Sequence, residues 1–235
     1  DHGGNDRTCP APTLHRFLRS WDTAGIANRF EGVKRLAPMS VKAAQLEARS
    51  AMTTDTPSYA TWVDGHLLPH RVGGHPALDF CNTRADWRVL RASGEWLGSY
   101  AHLVAWVGFA ELLDRPRLLR VRERAGLQCT EAQLEGVLER ARGFRRALRD
   151  CLLDPDDREA FAAVAEVVDE AHGLTSFALG PDGLATRRLS RDDGAPELPL
   201  FAVALAAADL LASVDRFLVR ACASDECGWL FLDRR

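Results

Sequence analysis

From about residue 96 onward, apolar positions recur at three- and four-residue spacing, the mark of helices with one buried face. Trp96, Tyr100, Leu103, Val107 and Ala110 form one such run, ended by Asp114-Arg115-Pro116. A short helix from about Pro116 to Gly126 follows. Thr130 and Gln133 fit the S/T-x-x-E/Q capping box, and behind them Leu134, Val137, Leu138, Ala141, Phe144, Leu148, Cys151 and Leu152 make one stripe. Asp156 and Asp157 open a further helix that Gly173 closes, and an apolar helix over residues 200–219 leads into Cys222.

Two segments read as hairpins. Short β-prone runs over residues 61–68 and at Arg71-Val72 are broken by Asp64-Gly65 and Pro69. Phe177-Ala178-Leu179 and Leu184-Ala185-Thr186 flank Gly180-Pro181-Asp182-Gly183, a turn in which proline pre-sets one angle and glycine permits the positive one. The pattern therefore predicts an α+β fold, mostly α: a helical domain with two small β-hairpins. Residues 1–51 show loop chemistry and weak periodicity. They read as an N-terminal extension, disordered or foreign to the native domain, which is expected to begin near Met52.

Composition narrows the class. The chain has 235 residues, 46% hydrophobic and 27% charged, enough to bury a core, which excludes collagen-like, mucin-like and wholly disordered readings. The net charge of -3 places any nucleic-acid contact in a local patch. Lys34 and Lys42 are the only lysines among 30 basic residues, an arginine bias that reads as a GC-rich, bacterial genome. The cysteines (9, 81, 129, 151, 222 and 227) are too scattered for a secreted disulfide scaffold. The apolar stretch over residues 200–212 falls short of the roughly 20 residues a bilayer needs, so no membrane contact is expected. The N-terminus has no export signal pattern, and the expected location is the cytoplasm.

The chemistry concentrates at two places. Cys222 and Cys227 form a C-x4-C knuckle followed by Gly228-Trp229-Leu230-Phe231-Leu232-Asp233. Two thiolates on a tight knuckle can supply two of the four ligands of a structural zinc, and two unrelated thiols are the alternative. Within His75-Pro76-Ala77-Leu78-Asp79-Phe80-Cys81-Asn82-Thr83, the polar side chains suit a cap and a turn, with Leu78 and Phe80 alternating towards a core. The competing reading is a ligand pocket using His75, Asp79, Asn82 and Arg84. No nucleophile, base and orienting group come together, so an enzyme is not expected. Arg142, Arg145, Arg146 and Arg149 read as a solvated face opposite the apolar stripe, with DNA contact as the second reading. Trp96, Trp106 and Trp229 read as packing residues, while Trp87, between Asp86 and Arg88, could stack on a base.

The segment over residues 75–83 resembles the signature of the ABATE domain. Arg220-Ala221-Cys222-Ala223-Ser224-Asp225-Glu226-Cys227-Gly228-Trp229-Leu230-Phe231-Leu232-Asp233 resembles the first half of the CGNR zinc finger that follows such domains. The resemblance covers residues 52–235. It implies a bacterial stress-induced transcription regulator, with a helical domain over residues 52–219 that senses or assembles and a finger over residues 220–235 that binds DNA. By that resemblance Cys222 and Cys227 are the first two zinc ligands. The family continues with a basic segment and a second cysteine pair, and this chain stops as that segment begins, so Arg234 and Arg235 are its expected DNA contacts. The resemblance thus implies zinc and DNA for the complete protein, substoichiometric zinc for this chain, and a small-molecule effector. The alternative is a small-molecule-binding module whose finger is purely structural.

Overall fold

Asp64 and Gly65 both take positive φ, 50° and 81°, the pairing that a two-residue hairpin of right-twisted strands requires. They join β1 (Ala60–Val63) to β2 (His66–Pro69), with Ala60 opposite Pro69 and Val63 opposite His66. The computed structural model describes residues 56–87, 94–180, 182–190, 194–224 and 227–235. The expected extension over residues 1–51, the start at Met52, and Pro181 in the second turn lie outside those residues.

Helix α1 (Pro76–Cys81) carries the segment read above as a turn with alternating apolar positions. It is helical because His75 caps it, with Nδ1 accepting the Ala77 N–H at 3.2 Å, and Pro76 stands where a missing N–H costs nothing. Ala77, Leu78, Asp79, Phe80 and Cys81 are all buried, so the helix is enclosed rather than lying on a surface.

Helix α2 (Tyr100–Phe109) starts four residues after Trp96, because Arg84 and Glu95 first form an isolated bridge. Its buried residues, Tyr100 and Leu103 through Val107, surround most of its circumference, as befits a core helix. Helix α3 (Arg115–Gln128), capped by Asp114, runs two residues past Gly126 and buries only Val121 and Ala125. Helix α4 (Glu131–Leu153) opens with the expected box: Thr130 Oγ1 accepts the Gln133 N–H and Gln133 Oε1 accepts the Thr130 N–H. Asp157 caps α5 (Arg158–Gly173) by accepting the Ala160 N–H at 2.9 Å. β3 (Thr175–Leu179) and β4 (Ala185–Leu189) form the second hairpin, and Gly183 supplies the positive φ of its turn.

Helix α6 (Leu198–Leu211) is buried on nearly every side and packs against α1, α2, α4 and α5. The expected continuous helix to residue 219 is broken. Ser213 Oγ accepts the Asp215 N–H and starts a tight 3-10 turn (Val214–Leu218) that re-aims the chain. The redirected chain forms β5 (Val219–Ala221), antiparallel to β6 (Leu230–Leu232), a third hairpin with the cysteine knuckle at its tip. The centre of the core is aromatic: the Phe80 ring lies 5.1 Å from Trp106 and 6.4 Å from Phe144, with Phe80 and Trp106 wholly enclosed. Among the described residues, the mostly α, α+β architecture is therefore six helices and three two-stranded antiparallel sheets.

Candidate functional site

The signature segment and the knuckle, far apart in sequence, meet in the fold. Asn82 is fully buried at the end of α1; its Oδ1 accepts the Leu230 N–H at 2.7 Å and its Nδ2 donates to the Leu230 C=O at 2.9 Å. Leu232 N–H donates to Gly73 C=O at 3.0 Å, and Asp233 N–H to Leu218 C=O at 2.9 Å. The hairpin bearing the knuckle is thus closed at its base and pinned through β6 to the end of α1 and to the loop before it.

The polar atoms of the segment hold this arrangement together. Asp79, nearly buried, accepts the Gly73 N–H at 2.7 Å. Burial pushes its carboxyl above the ordinary value, against the pull of the Gly73 and Val72 N–H groups and the Arg71 charge. His75 caps α1, and burial lowers its imidazole below the ordinary value. Thr83 Oγ1 donates to Phe80 C=O at 2.6 Å and accepts from Arg145 Nη1 at 2.8 Å. Arg84 pairs with Glu95 at 3.6 Å.

Cys222 and Cys227 are side by side. The Cys222 N–H donates to Trp229 C=O at 2.7 Å, and the Cys227 N–H to Ser224 C=O at 3.2 Å. Gly228 follows with φ +67°. Burial raises the Cys227 thiol; the Trp229 N–H opposes this, while the adjacent Cys222 thiol and Asp86 reinforce it. Among the described residues no third His, Cys, Asp or Glu gathers with them into a three-donor group.

Helix α4 flanks the knuckle, and here one expectation is overturned. The arginines were expected on a solvated face, yet Arg145 is 3% exposed. It occupies the stripe position between Ala141 and Leu148, and its desolvation is offset by partners. Its Nη1 donates to Thr83 C=O at 3.2 Å and to Glu95 Oε1 at 2.8 Å, and its Nη2 to Glu95 Oε2. Burial alone would raise the Glu95 carboxyl. The bond and charge of Arg145, the Leu97 N–H and Arg142 outweigh burial and leave it below the ordinary value.

Trp87, the tryptophan singled out for stacking, lies against arginines. The Arg149 guanidinium sits 4.7 Å from its ring centroid and that of Arg145 5.9 Å. Arg149 Nη2 also reaches Gly228 C=O at 3.5 Å, and a Cβ on Gly228 would lie 3.2 Å from the Trp87 Cβ. Next to Trp87 is a cavity of about 510 Å³ lined by Arg84, Arg142, Arg145 and Arg146 against Glu95 and Glu139. Arg146 is exposed and has no ion-pair partner among the described residues. Arg234 pairs with Asp215 at 2.9 Å and Arg235 with Asp233 at 3.4 Å, on the side of the 3-10 turn. Trp106 is enclosed in the core, while Trp96 and Trp229 each set an edge against Tyr59 at 6.1 and 6.3 Å.

Sequence reasoning missed Glu95 altogether. Its only signal was indirect: an arginine standing in an apolar stripe demands a buried acid somewhere.

Residues 74–214, more than half of the chain, match a family model described as "Putative stress-induced transcription regulator". The matched span contains Asn82, Glu95 and Arg145 and ends before Cys222. No curated protein matches the chain. Among the described residues no helix is long and apolar enough to cross a membrane.

Proposed function

This chain belongs to the ABATE family, and on that footing we propose that it regulates transcription by binding DNA through the Cys222–Cys227 knuckle and the arginines of α4 beside it. The family description names a regulator rather than an enzyme. The observation that carries the reading is the seating of the knuckle: Asn82 clamps its hairpin, Arg149 and Trp87 lie against its Gly228, and Trp87 in turn lines an arginine-rich cavity. That flank carries more positive than negative charge, and its arginines are held in place by Glu95, Glu139 and Trp87. Duplex phosphates bind such surfaces by charge, and that binding is sensitive to salt. Arg146 is the cation best placed to reach a phosphate. Arg234 and Arg235 are a second set of contacts, their charges already partly met by Asp215 and Asp233.

Zinc fits this donor set only in part, since no third donor gathers with Cys222 and Cys227 among the described residues, and substoichiometric binding is expected. Two adjacent cysteine sulfurs fit two of its four tetrahedral positions, and the Trp229 N–H beside Cys227 is the kind of outer donor that steadies a thiolate ligand. Cys222 and Cys227 would hold the ion, which would brace the loop and supply no chemistry of reaction. The chain would work in the cytoplasm, where thiols stay reduced, in keeping with the free thiols of Cys81, Cys151, Cys222 and Cys227.

The test is fluorescence anisotropy of a labelled duplex with the full chain, with and without added zinc, over a salt series. Affinity is expected to fall steeply as salt rises, and Arg146→Ala should lower the slope of log affinity against log salt by about one. Absence of duplex binding at low salt with zinc present overturns the reading, as does binding that ignores salt.

A further inference from the structure

Helices α3 and α4 are joined only by Cys129 and Thr130, yet they make little contact with each other. Between them opens a cleft of about 800 Å³, within the range of roughly 300–1,000 Å³ usual for small-molecule sites. Its floor is α2, and the β1–β2 turn closes one end with Asp64 and His66. The gap persists because several lining positions are small: Ala101 on α2, Ala125 and Gly126 on α3, and Ala132 on α4. Side chains of that size cannot reach across it.

The surface inside is mainly apolar. Tyr100, Val104 and Ala125 are buried at its base, with Leu134 partly buried beside them. The Tyr100 hydroxyl is engaged elsewhere, donating to Pro196 C=O at 2.9 Å, so the ring is what Tyr100 offers an occupant. The rim is charged and unbalanced. Arg122 is bonded to Asp64, and the two cancel. Glu135 meets Arg142 at 3.4 Å, but Arg142 also serves Glu139 and Glu95. Glu131, in the first turn of α4, has no ion-pair partner among the described residues. An occupant therefore meets an aromatic and aliphatic base under a mouth of net negative charge.

We propose that this cleft binds a small amphipathic organic cation, its apolar body on Tyr100, Val104, Ala125 and Leu134 and its positive end towards Glu131 and Glu135. An anion of the same shape would face two carboxylates and an arginine already satisfied by Asp64. The site is separate from the segment over residues 75–84, whose polar side chains cap and clamp the fold. Occupancy would also buttress α3, which is held by few buried residues, so binding should register as thermal stabilisation. The inference stands apart from the DNA reading and is tested on the protein alone, so either can fail without the other.

The experiment is calorimetric titration and thermal melting of the full chain with three probes of one shape: phenylbutylamine, phenylbutanol and phenylbutyrate. The amine is expected to bind one to one and raise the melting temperature, the alcohol to bind more weakly, and the carboxylate weakest. Glu131→Gln should weaken the amine by about threefold to fivefold and leave the alcohol unchanged. Ala101→Trp, at an exposed lining position, should remove binding of all three by filling the cleft, and Ala132→Trp provides the same test from α4 should the first variant lose stability. Equal binding of amine and carboxylate overturns the proposal. So does amine binding that survives both tryptophan variants, or no binding of the amine at millimolar concentration.

Discussion

The carboxamide of Asn82 is bonded at both ends to the backbone of Leu230, 148 residues further along the chain, with Oδ1 on its N–H and Nδ2 on its C=O. A side chain here does what a neighbouring strand would otherwise do: it satisfies both backbone groups of a buried residue. It also ties the end of α1 to the hairpin that carries the two late cysteines, so the matched family segment and the knuckle form one mechanical unit.

Asn82→Ala removes both partners at once and leaves a buried N–H and a buried C=O. Each unmet group costs about 1–3 kcal/mol, so the variant should lose roughly 2–6 kcal/mol. Urea denaturation measures the loss. Alkylation of Cys222 and Cys227, read peptide by peptide, should quicken because the hairpin is released. Unchanged alkylation alongside lowered stability would show that the clamp supports the core but not the knuckle.

Arg145 and Glu95 test the buried ion pair. Arg145→Met leaves the Glu95 carboxylate without its main partner and should cost about 3–5 kcal/mol, while adding Glu95→Gln should recover a large part of that. The pH dependence follows from the lowered Glu95 value. The unfolded chain takes up this proton first, so the stabilisation is complete above the ordinary glutamate value of about 4.3 and is lost as pH falls through the lower folded value. Arg145→Met should flatten that part of the stability profile in denaturation curves collected across the acidic range.

Asp79 acts in the opposite sense. Burial raises its folded value above the ordinary aspartate value of about 3.9, so its favourable contribution is complete below the latter and fades as pH rises through the former. Above the folded value the carboxylate is ionised at a cost. Asp79→Asn keeps an acceptor for the Gly73 N–H and should be neutral or stabilising at pH 7, any gain shrinking on acidification. Thermal melts at neutral and acidic pH decide it; an equal loss at both would mean that the second carboxylate oxygen has a structural role of its own.

Local devices were legible in the sequence. The Thr130/Gln133 box, the Asp157 cap, the Asp64-Gly65 turn and the Gly183 turn each depend on atoms within a few residues, and each stands where the pattern put it. The apolar stripe of α4 was legible too, because seven of its eight named positions are buried and Leu134 is partly so. Arg145 was misread because a charge is taken as solvent-facing unless its partner is visible, and Glu95 lies 50 residues earlier. The helix towards residue 219 was drawn too long because its apolar run continues smoothly, while the break at Ser213 is enforced by the pairing of β5 with β6.

By itself, the order of residues determined the local caps and turns, the mostly helical class, the family segment, and the placing of Cys222 and Cys227 on one knuckle. Each of these rests on forces acting over a turn of helix or a tight loop. Only the folded chain decided that Asn82 and Arg145 are buried and partnered, that the knuckle leans on Trp87 and Arg149, and that small side chains leave a cleft between α3 and α4. Burial and charge balance are properties of what closure of the chain brings alongside a residue, and neighbours 50 or 148 positions away leave no periodic trace in the sequence.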